Sequence, residues 1–170
     1  GPGSYYGVHD FSARHRSKDR VWDVPGLDAY HGKDIYMTEA LAIEARKAMR
    51  KVAKGGRPFF VHFAPYAVHA PIMANKRYLK HYAGLHPKEA AYATMIETVD
   101  AALGALLEEV EILGLTERTV VIFTSDNGGL SAHARGGERH THNAPLRSGK
   151  GSAYEGGVRV PWVVAWPGVT

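Results

Sequence analysis

An apolar run, TVVIF at residues 119–123, leads directly into the polar segment TSDNGGLS at residues 124–131. β-branched and aromatic residues favour a buried strand, and Gly128 and Gly129 permit a sharp turn with room for a ligand beside it. In open α/β sheets, ligands bind at the carboxyl ends of the strands. The sequence therefore predicts a strand that carries Asp126 and Asn127 to a ligand-binding edge of a sheet.

Two helices are predicted before this strand. The first has Thr38 as its N-cap and Glu39 in its first turn, and it ends at Gly55-Gly56. The second spans residues 88–113, between Pro87 and Gly114. Apolar residues recur at helical spacing in both: Leu41, Ala45, Ala48 and Val52 in the first, and Tyr92, Ile96, Val99, Leu103, Leu106, Val110 and Leu113 in the second.

Two further apolar runs, PFFVHFA at residues 58–64 and VPWVVAWPG at residues 160–168, predict buried strands. We interpret His62, inside the first run, as structural. The order helix, strand, helix, strand, loop, strand predicts an α/β fold with a mostly parallel sheet sandwiched by helices. Residues 1–36 have no sustained period, so we predict an irregular segment there and an α/β core at residues 37–170.

Composition excludes several classes of function. The chain has 170 residues and no cysteine, which rules out disulfides, thiolate zinc sites and cysteine nucleophiles within it. Its formal charge of +4 suits an anionic substrate as well as a nucleic acid, but no nucleic-acid-binding motif accompanies the charge. No apolar run approaches the length of a membrane span. We therefore predict neither nucleic acid nor membrane as a partner.

Asp126 and Asn127 are the first candidates for chemistry. A carboxylate beside an amide oxygen suits a hard cation such as calcium or magnesium. The alternative is a plain turn, because Asp-Asn-Gly is also good turn chemistry.

Two basic residues are further candidates. His69 lies in the loop that follows the first predicted strand, where it could transfer a proton or bind an anion, or be an ordinary surface histidine. Lys150 is flanked by glycines, which permit close approach to an anion. Its alternative is a flexible, solvated loop, and the spacing does not match a P-loop.

Four segments together resemble the sulfatase family of the alkaline-phosphatase superfamily, in the family's order. They are FFVHFAPYAVHAP at residues 59–71, the helix at residues 92–115, TVVIFTSDNGG at residues 119–129, and NAPLRSGKGSAYEGGVRVPWVVAWPG at residues 143–168. The resemblance implies an alkaline-phosphatase-like fold and identifies residues 1–170 as the central and C-terminal part of a catalytic domain.

The resemblance also implies roles for individual residues. Asp126 and Asn127 would bind one divalent cation, usually calcium; zinc-binding relatives have Asp-His at these positions. Lys150 would contact the sulfate ester and its bridging oxygen, and His69 would contact the sulfate or help to protonate the leaving alcohol. Independently of the resemblance, Arg147 is expected to bind the substrate anion, because a guanidinium can make bidentate contacts with sulfate or carboxylate.

The histidines and arginines of the intervening loop have less specific interpretations. The histidines are expected to bind anionic sugar, with a zinc site as the alternative, and the arginines to bind sulfate or carboxylate. They are His133, His140, His142, Arg135 and Arg139. The basic run at residues 14–20 is interpreted as a solvated surface patch.

The chain also departs from the family pattern. It lacks the motif whose cysteine or serine becomes the formylglycine nucleophile, the early acidic pair of metal ligands, and the smaller C-terminal subdomain, and Ser148 replaces a common glycine. We therefore expect part of a sulfuric ester hydrolase that is inactive alone and needs the remainder of the sulfatase polypeptide. Its substrate would be a sulfated carbohydrate or an aryl sulfate.

Two alternatives stay open: a phosphonate or phosphate monoester hydrolase of the same superfamily, and a non-catalytic anion-binding remnant. The family resemblance suggests a periplasmic, secreted or lysosomal location.

Overall fold

The structure is a computed structural model that describes residues 3–7, 11–12, 23–130 and 143–170. The regular elements, in chain order, are α1 (Met37–Ala53), α2 (Pro87–Ile112), β1 (Val121–Thr124), the short helix α3 (Glu155–Val158) and β2 (Trp162–Ala165). Single 3₁₀ turns occur at Asp28–Tyr30, Leu79–Tyr82 and Thr116–Arg118.

The chain forms two compact units. The first comprises Gly1–Leu85 and Ala90–Leu113, and the second comprises His86–Glu89 and Gly114–Thr170. The predicted division at residue 36 stays a prediction.

The core of the first unit is aromatic and draws on the segment that was expected to be irregular. Tyr5 and Tyr36 are fully buried and stack with their ring centroids 5.3 Å apart. Their hydroxyls donate 2.8 Å hydrogen bonds to the carbonyl oxygens of His69 and Met73, respectively. Burial raises the pKa of both tyrosines, so they remain neutral donors. This cluster therefore fixes the loop that contains His69.

α1 and α2 are joined by a buried carboxylate. Glu109 is fully buried, and it accepts hydrogen bonds from Arg50 Nε at 2.7 Å and from Arg46 Nε at 2.8 Å. The two guanidiniums lower the pKa of Glu109 to about 2, with Arg50 the larger influence. A buried charge is tolerated when it is paired and hydrogen-bonded in this way.

Both helices form, but most of the apolar residues that recur at helical spacing are not the residues that the helices bury. α1 is capped by Tyr36 without a side-chain hydrogen bond, and Thr38 is buried inside its first turn. The residues that α1 buries are Met37, Thr38, Ala40, Ala42 and Met49, and those of α2 are Ala90, Thr94, Met95, Thr98, Ala102, Leu106 and Glu109. Leu106 is thus the one residue of the two predicted stripes that is buried. The buried face of α2 includes three polar residues with hydrogen-bond partners, Thr94, Thr98 and Glu109, which a purely apolar pattern misses.

The one pair of strands among the described residues is antiparallel. Val121 pairs with Ala165, and Thr124 pairs with Trp162. The predicted strands at 119–123 and 160–168 are therefore confirmed as strands, whereas a mostly parallel sheet is not confirmed. A parallel connection needs a crossover that is usually helical, and the described part of this connection contains only the four-residue α3.

Burial of the predicted strands was also wrong. Ile122 in β1 is 54% exposed and Trp162 in β2 is 67% exposed. Residues 58–64 form no strand in the described structure, Phe60 is 89% exposed, and His62 is exposed as well. Apolar sequence predicts burial only when other elements cover it, and the described part of the chain provides no such cover.

α2 is the single helix in the described ranges that is long and apolar enough to cross a membrane. A core helix of a soluble protein meets the same criterion, and α2 buries Thr94, Thr98 and Glu109 against partners in the first unit. The absence of a membrane partner stays a prediction.

Candidate anion and metal site

The segment after β1 presents oxygen atoms. Ser125 Oγ donates to the carbonyl oxygen of Asn127 at 2.8 Å, and Asn127 Nδ2 donates to the carbonyl oxygen of Gly128 at 3.0 Å. The Asn127 side chain therefore keeps its Oδ1 as an available ligand atom. The Asp126 carboxylate is exposed and has no hydrogen-bond or ion-pair partner within the described ranges.

These two oxygens suit a hard cation. Carboxylate and amide oxygens are ligands that calcium and magnesium accept, and calcium takes six to eight of them. Asp126 and Asn127 can therefore form part of a calcium site, and its other ligands would have to come from elsewhere. Such a cation would stabilise negative charge on a bound anion.

Close backbone packing explains the glycines around this segment. The Gly128 amide donates to the Gly157 carbonyl oxygen at 2.9 Å, and a Cβ at Gly128 would collide with the carbonyl oxygen of Gly156. A Cβ at Gly156 would in turn collide with the carbonyl oxygen of Ser148. The EGG motif at residues 155–157, which begins α3, therefore packs directly on the Asp126 segment and on the lysine loop.

The lysine loop, residues 147–151, is hydrogen-bonded to the same segment. The backbone amide of Lys150 donates to the carbonyl oxygen of Gly129 at 3.0 Å. Its side chain is half-buried, and the ammonium has no partner in the part of the chain that the structure describes. Ser148 adopts φ 65°, a left-handed conformation that favours glycine, in agreement with the glycine expected at this position.

Arg147 is exposed and lies over an aromatic ring. Its guanidinium carbon is 3.9 Å from the centroid of the Tyr154 ring, a cation–π contact. Its carbonyl oxygen accepts a 2.9 Å hydrogen bond from Gly156. The cation–π contact with Tyr154 orients the guanidinium, but substrate binding by Arg147 stays a prediction.

His69 belongs to the first unit, whereas the other candidates belong to the second. Its ring is exposed, and Nδ1 lies 2.8 Å from the carbonyl oxygen of Ala70. Because a carbonyl oxygen only accepts, Nδ1 carries the proton in this contact, and Nε2 is the nitrogen left for an anion or a proton transfer. The expected role of His69 toward the sulfate or the leaving alcohol stays a prediction.

The remaining predicted binding residues lie outside the described residues. These are the loop residues His133, His140, His142, Arg135 and Arg139. The basic run at residues 14–20, which was interpreted as a surface patch, lies outside the described residues as well.

One further cluster of potential ligands has structural contacts. Ligand atoms of Asp23, Asp28 and His31 lie within 4.8 Å of one another. Asp23 is 3.1 Å from His31 Nε2, and its other oxygen accepts the amide of Val24 at 2.8 Å. These contacts account for two of the three residues, Asp23 and His31.

The sequence interpretation missed Asn143, which the structure places against both the Asp126 segment and the lysine loop. Its Oδ1 accepts the Gly129 amide at 3.0 Å, and its Nδ2 donates to Gly129 and Ser148. An asparagine in a polar loop carries no sequence signal for this role, because only the fold brings its partners together.

Comparisons with known proteins show the family of this chain. The family model described as Sulfatase matches residues 3–170. N-acetylgalactosamine-6-sulfatase from Homo sapiens is 32% identical over 98% of this chain and 32% of its own length. Arylsulfatase A from Homo sapiens is 37% identical over 85% of this chain and 25% of its own length.

A solved structure is similar to this chain as well. The crystal structure described as Ps i-CgsB in complex with k-i-k-neocarrahexaose has a TM-score of 0.71 and 34% identity, over 81% of this chain and 30% of that chain. The chain thus spans only about a third of the relatives that it matches. Since the family model covers almost every residue, the chain belongs to the sulfatase family.

Proposed function

We propose that this chain is part of a sulfuric ester hydrolase that cleaves sulfate esters with the help of a divalent cation. The observation that carries the proposal is the hydrogen bond between the Lys150 amide and the Gly129 carbonyl oxygen. It brings the lysine loop against the segment that bears Asp126 and Asn127. A cation-binding pair and an ammonium without a partner among the described residues, on adjacent loops, suit a substrate that carries negative charge.

The chemistry of a sulfate ester explains the choice of residues. Negative charge increases on the ester oxygens as the S–O bond breaks, and Lys150 stabilises that charge. Calcium bound through Asp126 and Asn127 would supply further positive charge, and formylglycine, expected on the remainder of the polypeptide, would supply the nucleophile. His69 binds the sulfate or protonates the leaving alcohol through Nε2.

The substrate class follows from the relatives. The names N-acetylgalactosamine-6-sulfatase and arylsulfatase A, and the neocarrahexaose complex, refer to sulfated sugars, aryl sulfates and an oligosaccharide. We propose a sulfated carbohydrate or an aryl sulfate as the substrate of the complete polypeptide.

The exposed apolar strands support a partner that completes the domain. The pairs Ile122–Val164 and Phe123–Val163 lie on opposite faces of the β1–β2 ribbon, so both faces are apolar. Sheets with this pattern are normally covered on both sides. We propose that the remainder of the sulfatase polypeptide provides this cover and the other metal ligands, and that the chain alone hydrolyses no sulfate ester.

The test compares matched aryl sulfate and aryl phosphate esters with the complete sulfatase polypeptide that contains this chain. Faster hydrolysis of the sulfate ester is expected. Preference for the phosphate ester would identify a phosphate or phosphonate monoester hydrolase instead, and binding of sulfate ester without turnover would identify an anion-binding remnant. Turnover by the purified 170-residue chain would contradict its proposed dependence on the remainder.

Metal analysis tests the cation site independently. Asp126→Ala removes a carboxylate that has no structural partner in the described ranges, so the variant should fold and lose most of its bound calcium. Elemental analysis that finds an undiminished ion would exclude Asp126 from the site.

A further inference from the structure

Asn143 makes three hydrogen bonds with its side-chain amide. Oδ1 accepts from the Gly129 amide at 3.0 Å, and Nδ2 donates to the Gly129 carbonyl oxygen at 2.8 Å and to the Ser148 carbonyl oxygen at 3.0 Å. The pair of bonds to Gly129 imitates the exchange between two strands of a sheet. One side chain thus binds both functional segments of the second unit.

The Gly129 carbonyl oxygen is the point where these contacts meet. It accepts from Asn143 Nδ2 and also from the backbone amide of Lys150 at 3.0 Å. Asn143 also holds the carbonyl oxygen of Ser148, two residues before the lysine. The position of Lys150 relative to Gly129 is therefore fixed both by its own backbone amide and by the contact of Asn143 with Ser148.

Only a short amide fits these partners. The contacts need one acceptor and two donor directions on a single planar group, which asparagine supplies. Aspartate has the same shape but no donor, so its carboxylate would face the carbonyl oxygens of Gly129 and Ser148. Alanine removes all three hydrogen bonds. Ser148 also has a strained φ of 65°, which the surrounding contacts must maintain.

We propose that Asn143 is a positioning residue that holds Lys150 at a fixed distance from the segment bearing Asp126 and Asn127. The proposal rests on the proposed function, because this distance matters only if it aligns the Lys150 ammonium with a bound anion. Asn143 acts through Gly129 and Ser148 and does not itself contact the substrate. A displacement of about 1 Å in such a site can cost about 100-fold in rate.

The experiment uses the complete polypeptide with Asn143→Ala and the isosteric Asn143→Asp. Loss of alignment should lower kcat on an aryl sulfate by about 10- to 100-fold and leave KM nearly unchanged, as for other residues that orient catalytic groups. The matched control is Thr119→Val, which removes the 2.8 Å hydrogen bond from Thr119 Oγ1 to the Leu115 carbonyl oxygen, away from the lysine loop. Its kcat should equal that of the wild type.

Hydrogen exchange distinguishes positioning from a general structural role. Peptides that cover residues 125–130 and 147–151 should exchange faster in both Asn143 variants, while peptides from α1 and α2 should not change. A lower kcat with uniformly faster exchange would overturn the proposal, and so would unchanged kcat in the two variants. If the wild type hydrolyses no ester, the proposed function fails, while the local exchange pattern still decides whether Asn143 links the two segments.

Discussion

The backbone amide of Lys150 donates a 3.0 Å hydrogen bond to the carbonyl oxygen of Gly129. The position of the lysine loop therefore depends on main-chain atoms and on Asn143, and within the described ranges no contact of the Lys150 side chain contributes to it. Its charge can consequently be removed without changing the contacts that hold the loop. This separation makes the chemical role of Lys150 testable.

Lys150→Ala in the complete polypeptide should lower kcat on a sulfate ester by about 10²- to 10³-fold, the usual effect of removing one charge-stabilising donor. The thermal midpoint should stay close to that of the wild type, because the backbone hydrogen bond remains. Steady-state kinetics and thermal unfolding on the same preparation measure both quantities.

Arg159→Ala is the matched control for Lys150→Ala. It removes a positive charge from the same unit, where the Arg159 side chain makes, among the described residues, only an exposed ion pair with Glu155 at 3.5 Å. Such pairs contribute little to stability, and kcat should not change. Equal kcat in wild type and Lys150→Ala would show that the lysine does not stabilise the reacting anion.

The sequence predicted the family of the chain better than it predicted the layers of the fold. The order of Asp126, Asn127 and Lys150 within glycine-rich segments identified the family, because their chemistry depends on local spacing. The pairing of β1 with β2 and the exposure of Phe60 depend on which other elements cover them. The apolar residues of a segment carry no information about which elements will do so. Asn143 was missed for the same reason, since its partners meet only in the folded chain.

Ser148 offers a test of backbone strain. At φ 65° a non-glycine residue costs about 1–2 kcal/mol, so Ser148→Gly should stabilise the protein. Glycine also increases the entropy of the unfolded chain, which lowers the free energy of unfolding by about 0.4–1 kcal/mol. The net increase in the free energy of unfolding is therefore about 0.5–1 kcal/mol. Urea unfolding measures this change.

Ala153→Gly is the control for strain, because Ala153 lies in the same loop region, is exposed and has no positive φ. It should destabilise the protein through the entropy of the unfolded chain alone. Equal effects of the two substitutions would remove strain at Ser148 as the explanation.

Gly128→Ala tests the close packing of the Asp126 segment on the EGG motif. The new Cβ would collide with the carbonyl oxygen of Gly156, a backbone atom that cannot rotate away. Overpacking of this kind costs about 1–3 kcal/mol, and the shift of Asn127 should also weaken calcium binding. Urea unfolding and a calcium titration measure the two effects.

Gly104→Ala is the opposite case. Gly104 lies inside α2, its φ is not positive, and no atom outside the helix backbone lies within 4 Å of the position that an alanine methyl would take. Alanine should therefore stabilise the protein by about 0.8–1 kcal/mol through helix propensity. If Gly104→Ala destabilises the protein as much as Gly128→Ala is expected to, then the collision with Gly156 is not the cause of the destabilisation by Gly128→Ala.

Glu109 makes stability depend on pH in a defined direction. The hydrogen bonds from Arg50 and Arg46 lower its pKa from 4.5 to about 2 in the folded protein. A carboxyl with a lowered folded pKa binds fewer protons in the folded state, so it stabilises the protein above its unfolded pKa and loses that contribution as the pH falls through the folded value. The contribution of Glu109 should therefore be complete above about pH 5 and should decline between about pH 4.5 and 2.

The measurement is urea unfolding of wild type and Glu109→Gln across this pH range. At neutral pH the variant should be clearly less stable, because both arginines lose their buried charged partner, and the difference should shrink as the pH falls. Glu108→Gln is the matched control, since Glu108 is 62% exposed and lies 3.4 Å from Arg46. Its effect should be small at every pH. A stability difference between wild type and Glu109→Gln that does not change with pH would mean that the pairing with Arg46 and Arg50 does not set the charge state of Glu109.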